Sequence, residues 1–294
     1  MSRLRAGSIL IGFAALTLPL MPIQALFVRT HTGLARRFPH WYHRQVCRLI
    51  GVKLHIDGQV ARDRPVLIVA NHTSWLDIPV LSAVAPLSFV AKKEVGNWPF
   101  VSSLARLQRT VFVDRERRAA VADTANEILE RLAGGDNVVL FAEGTSSDGN
   151  RVLPFKTSLF AAAKPPARMD TLSPDAVVQT LSIVYTHLNG VPLGRADRPL
   201  VGWYGDMDMQ SHAWQLLQAG TLDVRIRVGP AVPLSEFSDR KDLACRSENQ
   251  IRDHVVRILR DRAAEDLLQV TAPSEESKKA ARAVRMSTPE KKWT

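Results

Sequence analysis

Cysteine is nearly absent from this 294-residue sequence: Cys47 and Cys245 stand alone, far apart and in no metal-ligand spacing. That argues against a disulfide framework and a zinc site, and it fits a reducing compartment. Acidic residues are missing from the N-terminal stretch. No Asp or Glu precedes Asp57, whereas Arg3, Arg5, Arg29, Arg36, Arg37, Arg44, Arg48 and Lys53 all do. The net charge of +10 is therefore unevenly spread. This basic block lacks aromatic stacking positions and flanks an apolar segment, so an anionic membrane surface suits it better than a nucleic acid. A Gly-x-Ser-x-Gly nucleophile elbow is also missing, because the run Gly144-Thr145-Ser146-Ser147-Asp148 fails at its last position.

What is present begins with GSILIGFAALTLPLMPIQALF, Gly7 to Phe27, which carries no charge. A run of about 20 apolar residues is long enough to span a bilayer. Pro19, Pro22 and Gln24 weaken it as a straight spanning helix. A secretory signal peptide is the rival reading, but the segment is long and no small-x-small cleavage site follows, so an uncleaved anchor is expected. Basic residues are denser after it than before it, which keeps the rest of the chain cytoplasmic. Whether the anchor spans the bilayer or dips into one leaflet stays open. Residues 34–50 (LARRFPHWYHRQVCRLI) read as a basic amphipathic helix on the lipid interface.

Downstream, 52–56, 65–70, 87–92, 110–114, 137–143, 177–187 and 222–229 read as strands. Residues 78–85, 98–107, 118–132, 157–164 and 246–270 read as helices between and after them. The alternation implies an α/β domain, a mostly parallel or mixed sheet flanked by helices. The expected organisation is a membrane anchor with its interfacial helix (1–50), a domain over 51–270 and a mobile Lys/Glu/Ser-rich tail (271–294). Chemistry in such folds sits where strands end and loops turn outward.

Three strand ends carry polar residues. In VANHTSWLDIPV (69–80), His72 and Asp77 are five apart, and none of the other seven histidines has this spacing. Five positions lie roughly 140° apart on a helix, so the two can meet only if His72 is in the loop and Asp77 in the first helical turn. Asp77 would then bond one ring nitrogen and leave the other free to accept a proton. A plainer reading makes Ser74 or Thr73 a helix cap and Asp77 a dipole partner. In VVLFAEGTSSDGNRVLPFK (138–156), a buried strand delivers Glu143, Gly144 and Thr145 into a turn, either a polar rim or an ordinary glycine turn. In VFVDRERR (111–118), Arg115 offers a fork of donors for a phosphate or carboxylate, or simply belongs to a solvated charge run.

Together, NHTSWLD, FVDR and FAEGT, in this order and at these separations, resemble the four-motif glycerolipid acyltransferases, typified by 1-acylglycerol-3-phosphate acyltransferase. The resemblance covers roughly residues 65–190, and the N-terminal helix pair is similar to that family's membrane-docking element. It implies that His72 is the general base and Asp77 its partner. Arg115 and the Glu143-Gly144-Thr145 turn would bind the acceptor lipid, and VYTHLNGVP (184–192) would serve the acyl donor. Lys156 matches a basic position that commonly follows the third motif. The implied reaction moves an acyl group from an acyl carrier protein or coenzyme A thioester to a lysolipid hydroxyl, with no metal or cofactor, at the cytoplasmic face of a bacterial inner membrane.

The sequence departs from the family pattern in three places. Ala142 replaces a usual Pro, and Arg109 stands where a Gly commonly opens the second motif. Ser146-Ser147-Asp148 replaces the basic residues that follow the third motif in enzymes using phosphate-bearing acceptors. That exchange favours an acceptor with an ammonium group. EGTSSDGNRVLPFK together with WYGDM (203–207) is similar to bacterial acyltransferases that acylate lyso-ornithine lipid. Lysophosphatidate remains the alternative acceptor, since Arg115 and Lys156 can hold a phosphate. A membrane lipid esterase and a non-catalytic lipid-binding protein are the rivals of another class.

Overall fold

The computed structural model describes residues 2–113, 118–163 and 176–271. Arg115 and the tail from 272 onward lie outside the described residues. Two helices, α1 (Ser2–Arg29) and α2 (Leu34–Ile50), precede the sheet. Then follow β1 (Val52–Asp57), β2 (Val66–Ala70), α3 (Asp77–Ser82), β3 (Ser88–Lys92), α4 (Val101–Leu107), β4 (Val111–Val113), α5 (Arg118–Ala133) and β5 (Val138–Phe141). The chain closes with β6 (Val177–Leu188), β7 (Val191–Pro192), α6 (Met209–Ala219), β8 (Leu222–Val228), β9 (Val232–Pro233) and α7 (Arg240–Thr271). The strands form one mixed sheet in the order β1-β8-β6-β2-β5-β3-β4, with β7 and β9 paired to β6. The centre is parallel from β6 through β2, β5 and β3 to β4, while β8 runs antiparallel to β6.

The central strands β2 and β5 are apolar throughout because both faces are covered. In β2 the pleat sends Val66, Ile68 and Ala70 into one core and Leu67 and Val69 into the other. The first core also takes Val46 and Cys47 of α2, Leu81 of α3 and Leu217 of α6, and the second takes Leu129 of α5 and Leu243 and Ile251 of α7. α6 had no counterpart among the expected elements, and the helix expected over 98–107 begins only at Val101, after Phe100 at φ 66°.

Pro19 and Pro22 do not interrupt α1. A proline inside a helix removes one hydrogen bond and strains the preceding turn, and here lateral contacts hold the helix on both sides of the pair. Thr17 Oγ1 and the Tyr42 hydroxyl lie 2.7 Å apart, and Gln24 Nε2 donates to the carbonyls of Ala35 (2.9 Å) and Leu107 (2.8 Å). At the other end the Arg5 guanidinium donates to the carbonyls of Ile50 (2.6 Å), Gly220 (2.9 Å) and Leu217. α1 is long and apolar enough to cross a membrane, yet it lies against α2, α4 and α6. Its free face carries Leu4, Ile11, Leu18, Ile23 and Leu26.

Arg109 takes the left-handed backbone expected of the glycine it replaces, with φ 61°. That conformation costs a non-glycine residue about 1–2 kcal/mol. A two-point ion pair with the buried Asp136 (2.8 and 2.7 Å) compensates, and Arg36 of α2 joins the same carboxylate at 2.8 Å.

Candidate active site

β2 and β5 are parallel, so the loops after them emerge at the same edge of the sheet. The ladder between β2 and β6 ends at Ala70–Leu181, and Asn71 extends it with its side chain. Its Nδ2 donates to the Ile183 carbonyl and its Oδ1 accepts the Ile183 N–H, both at 2.9 Å. That clamp fixes where His72 leaves the sheet. The chain then turns, and Asp77 opens α3.

Asp77 is fully buried and accepts four hydrogen bonds. Oδ2 takes His72 Nδ1 at 2.8 Å and the N–H groups of Thr73 (2.7 Å) and Ser74 (3.0 Å), and Oδ1 takes the Tyr185 hydroxyl at 2.6 Å. A carboxylate only accepts, so His72 Nδ1 carries the proton and Nε2 presents its lone pair. Nε2 has no hydrogen-bond partner among the described residues, and the His72 side chain is 16% exposed. The ring stacks on Phe141 with centroids 4.1 Å apart, which fixes its plane. The capping alternative is not what the structure shows: α3 has no side-chain cap, and Ser74 Oγ makes no hydrogen bond among the described residues.

The turn after β5 is stitched to the histidine loop from both sides. Glu143 Oε1 accepts the His72 N–H and Oε2 the Leu153 N–H, each at 2.9 Å, and the Ser147 N–H donates to the His72 carbonyl at 2.9 Å. Glu143 is 1% exposed. The resemblance implied that Glu143 binds the acceptor lipid; in the structure both its oxygens accept from backbone amides, which ties the turn to the histidine loop. Thr145 and Lys156 are exposed on the rim. Gly144 has φ 73°, and a Cβ there would lie 2.9 Å from Lys156 Cδ, so the lysine drapes over the glycine. Two partners escaped the sequence reading. Tyr185 lies in the segment expected to serve the acyl donor but grips Asp77. Trp203 donates its N–H to the Thr73 carbonyl at 2.9 Å, and its own carbonyl accepts from Ser146 Oγ.

Burial pushes the Glu143 carboxyl up to about 8, against the two backbone donors that favour the anion, with Asp77 and Glu248 adding to the rise. An acid whose pKa is raised by folding favours the fold below its unfolded value of 4.5 and loses that contribution as pH climbs to about 8. Glu143→Gln has no such slope, and it sets an NH2 against a backbone N–H, at a cost of about 1–3 kcal/mol. Denaturant unfolding of both proteins at pH 5 and pH 8 should therefore show the wild type losing stability relative to the variant. Parallel losses would refute the raised ionisation. Burial likewise pushes the Cys47 thiol up to about 12, which leaves it no thiolate for nucleophilic attack.

An imidazole pinned at one nitrogen and open at the other, at the edge of a mixed α/β sheet, defines an enzyme class that activates a hydroxyl or a water. Comparison with known proteins narrows the class. The family model described as Acyltransferase matches residues 51–184. A lyso-ornithine lipid O-acyltransferase of Brucella abortus is 46% identical over 249 residues, covering 85% of this chain and 93% of that protein. Its counterpart in Rhizobium meliloti is 43% identical over 249 residues, 84% of each chain. A 1-acyl-sn-glycerol-3-phosphate acyltransferase of Neisseria meningitidis is 32% identical over 197 residues, 66% of this chain and 72% of that one. The crystal structure of the 1-acyl-sn-glycerophosphate acyltransferase of Thermotoga maritima shares the fold, with a TM-score of 0.59 at 21% identity over 88% of this chain and 98% of that one. The protein belongs to the acyltransferase family, and it is an acyltransferase with a lysolipid acceptor.

Proposed function

We propose that the protein transfers a fatty acyl group from an acyl carrier protein or coenzyme A thioester to the free hydroxyl of lyso-ornithine lipid. The observation that carries the mechanism is the fourfold clamp on Asp77, which leaves only Nε2 of His72 open. Nε2 takes the proton of the acceptor hydroxyl as its oxygen attacks the thioester carbonyl. The tetrahedral intermediate collapses, the carbon–sulfur bond breaks, and the imidazolium returns the proton to the departing thiolate. The products are an ester and a free thiol, and no metal, cofactor or covalent enzyme intermediate is required. Arg115, Thr145 and Lys156 contact the acceptor in this reading, while Glu143 and Gly144 shape the turn.

The acceptor follows from the relatives that cover most of this chain and from the third motif. Partial burial raises the Asp148 carboxyl. Donation from the Asn150 backbone and side chain, with the charge of Arg151, outweighs it and holds the group below the usual carboxylate range. The rim therefore keeps a negative charge, which attracts an ammonium and repels a phosphate. Competition between lyso-ornithine lipid and lysophosphatidate for one labelled acyl thioester is the test. Preference for lyso-ornithine lipid is the expected result, and preference for lysophosphatidate overturns the acceptor assignment.

The attachment we propose is to the cytoplasmic face of the inner membrane, with α1 in the plane of one leaflet. Its apolar face is free while its other side is hydrogen-bonded to the domain, and Arg37, Arg44 and Arg48 of α2 are exposed beside Trp41. In a Cys245→Ser background, Ser2→Cys and Thr32→Cys should both react with an impermeant maleimide from the cytoplasmic side. Labelling of either from the periplasm would show a spanning helix.

A further inference from the structure

The acceptor's headgroup must be read by residues near the base, and the third motif holds no cation at 146–148. The same loop carries Arg151 three residues on, and the structure brings Arg198 to that place from a later part of the chain. Gly149 has φ 76°, and a Cβ there would lie 3.3 Å from Thr73 Cγ2 and 3.5 Å from Arg198 Cβ. The third-motif loop, the histidine loop and Arg198 therefore meet. Arg198 Nη1 donates to Asn150 Oδ1 at 3.2 Å, and Asn150 in turn donates to Asp148 through its backbone (3.0 Å) and side chain (3.2 Å). A cleft with room for about one water molecule marks this junction, lined among others by Asn71, Thr73, Gly149, Arg151, Tyr185 and Arg198. Among the described residues, the two guanidinium groups are the only charges on its lining. Thr73 is next in the chain to His72, and Tyr185 holds Asp77, so the cleft adjoins the proposed reaction centre.

We infer that Arg151 and Arg198 bind the carboxylate of the acceptor headgroup at the mouth of this cleft, and that Asp148 receives its ammonium. The inference rests on the lyso-ornithine reading above. Ornithine acylated on one amine keeps one carboxylate and one ammonium, and the site offers a guanidinium fork for the first and a carboxylate for the second. A phosphate monoester satisfies the arginines but leaves Asp148 facing another anion, so the same pair of charges discriminates against lysophosphatidate. Arg198 lies beyond the residues matched by the family model, and no spacing rule connects it to the strand-end motifs.

The test pairs acceptor and protein changes. Acceptors are lyso-ornithine lipid, its carboxyl methyl ester and lysophosphatidate; proteins are wild type, Arg151→Gln, Arg198→Lys and Asp148→Asn. Losing a charge-assisted pair costs about tenfold or more. The methyl ester should therefore raise the KM of the wild type at least tenfold over the parent lipid, and Arg151→Gln should shrink that gap to less than threefold. Arg198→Lys keeps the charge but loses the fork, and it should give an intermediate gap. Asp148→Asn should raise KM for lyso-ornithine lipid and lower it for lysophosphatidate. Equal use of ester and parent lipid by the wild type, or an undiminished gap in Arg151→Gln, overturns the inference while leaving the acyl transfer itself standing. A wild type that acylates lysophosphatidate alone overturns the acceptor reading and the carboxylate assignment with it.

Discussion

Replacing His72 with alanine is expected to lower kcat by about 10³-fold, the range over which a positioned general base accelerates proton transfer. The fold should survive the change. Asp77 keeps the N–H groups of Thr73 and Ser74 and the Tyr185 hydroxyl, so no buried carboxylate is left bare. The backbone of residue 72 still donates to Glu143 and accepts from Ser147. The main structural loss is the face of Phe141 on which the ring stacks, a cost of about 1 kcal/mol. Turnover and the urea midpoint measured on one preparation separate the two effects. Near-normal turnover with an intact fold would remove His72 from the chemistry.

Asp77→Asn should reduce kcat by about 10³-fold for a different reason. The amide can offer its oxygen to the three donors now on Oδ2 and its NH2 to the Tyr185 oxygen, so the loop geometry is retained. The negative charge that stabilises the imidazolium is gone, and in the flipped amide the histidine takes the wrong tautomer. Hydrogen bonds to a charged group are worth about 1.5–3 kcal/mol, so stability should also fall measurably. Tyr185→Phe removes one neutral donor from the same carboxylate, and we expect about a tenfold loss in kcat with KM for both substrates unchanged. A tyrosine that contacted the acyl donor, as its place in the 184–192 segment implied, would raise the donor KM instead. Measuring kcat and donor KM on that single variant decides between the two roles.

What was legible in the sequence was local. Apolar runs and their spacing placed the strands ending near His72 and Glu143, and α2 occupies the 34–50 expected from its amphipathic pattern. The five-residue interval between His72 and Asp77 implied a loop followed by a first helical turn, because helix geometry allows no other meeting. The substitution at Arg109 was visible as a departure, but its cure was not, since Asp136 lies on the far side of α5. Charge at the third motif was read from residues 146–148 alone, leaving out Arg151 three positions on, and the structure adds Arg198 to it.

The sequence by itself determined the class of fold, the order of its main strands and the strand ends at which polar residues would stand. Those follow from periodicities within a few residues of each other. Only the tertiary structure decided which distant side chains complete the site. Tyr185 reaches Asp77 across 108 residues, Asn71 locks to Ile183 across 112, and Arg198 meets Asn150 across 48. Only the tertiary structure, too, laid α1 along the domain. Sheet register and helix packing set those meetings, and both are fixed by the whole chain burying its apolar surface at once rather than by any local pattern.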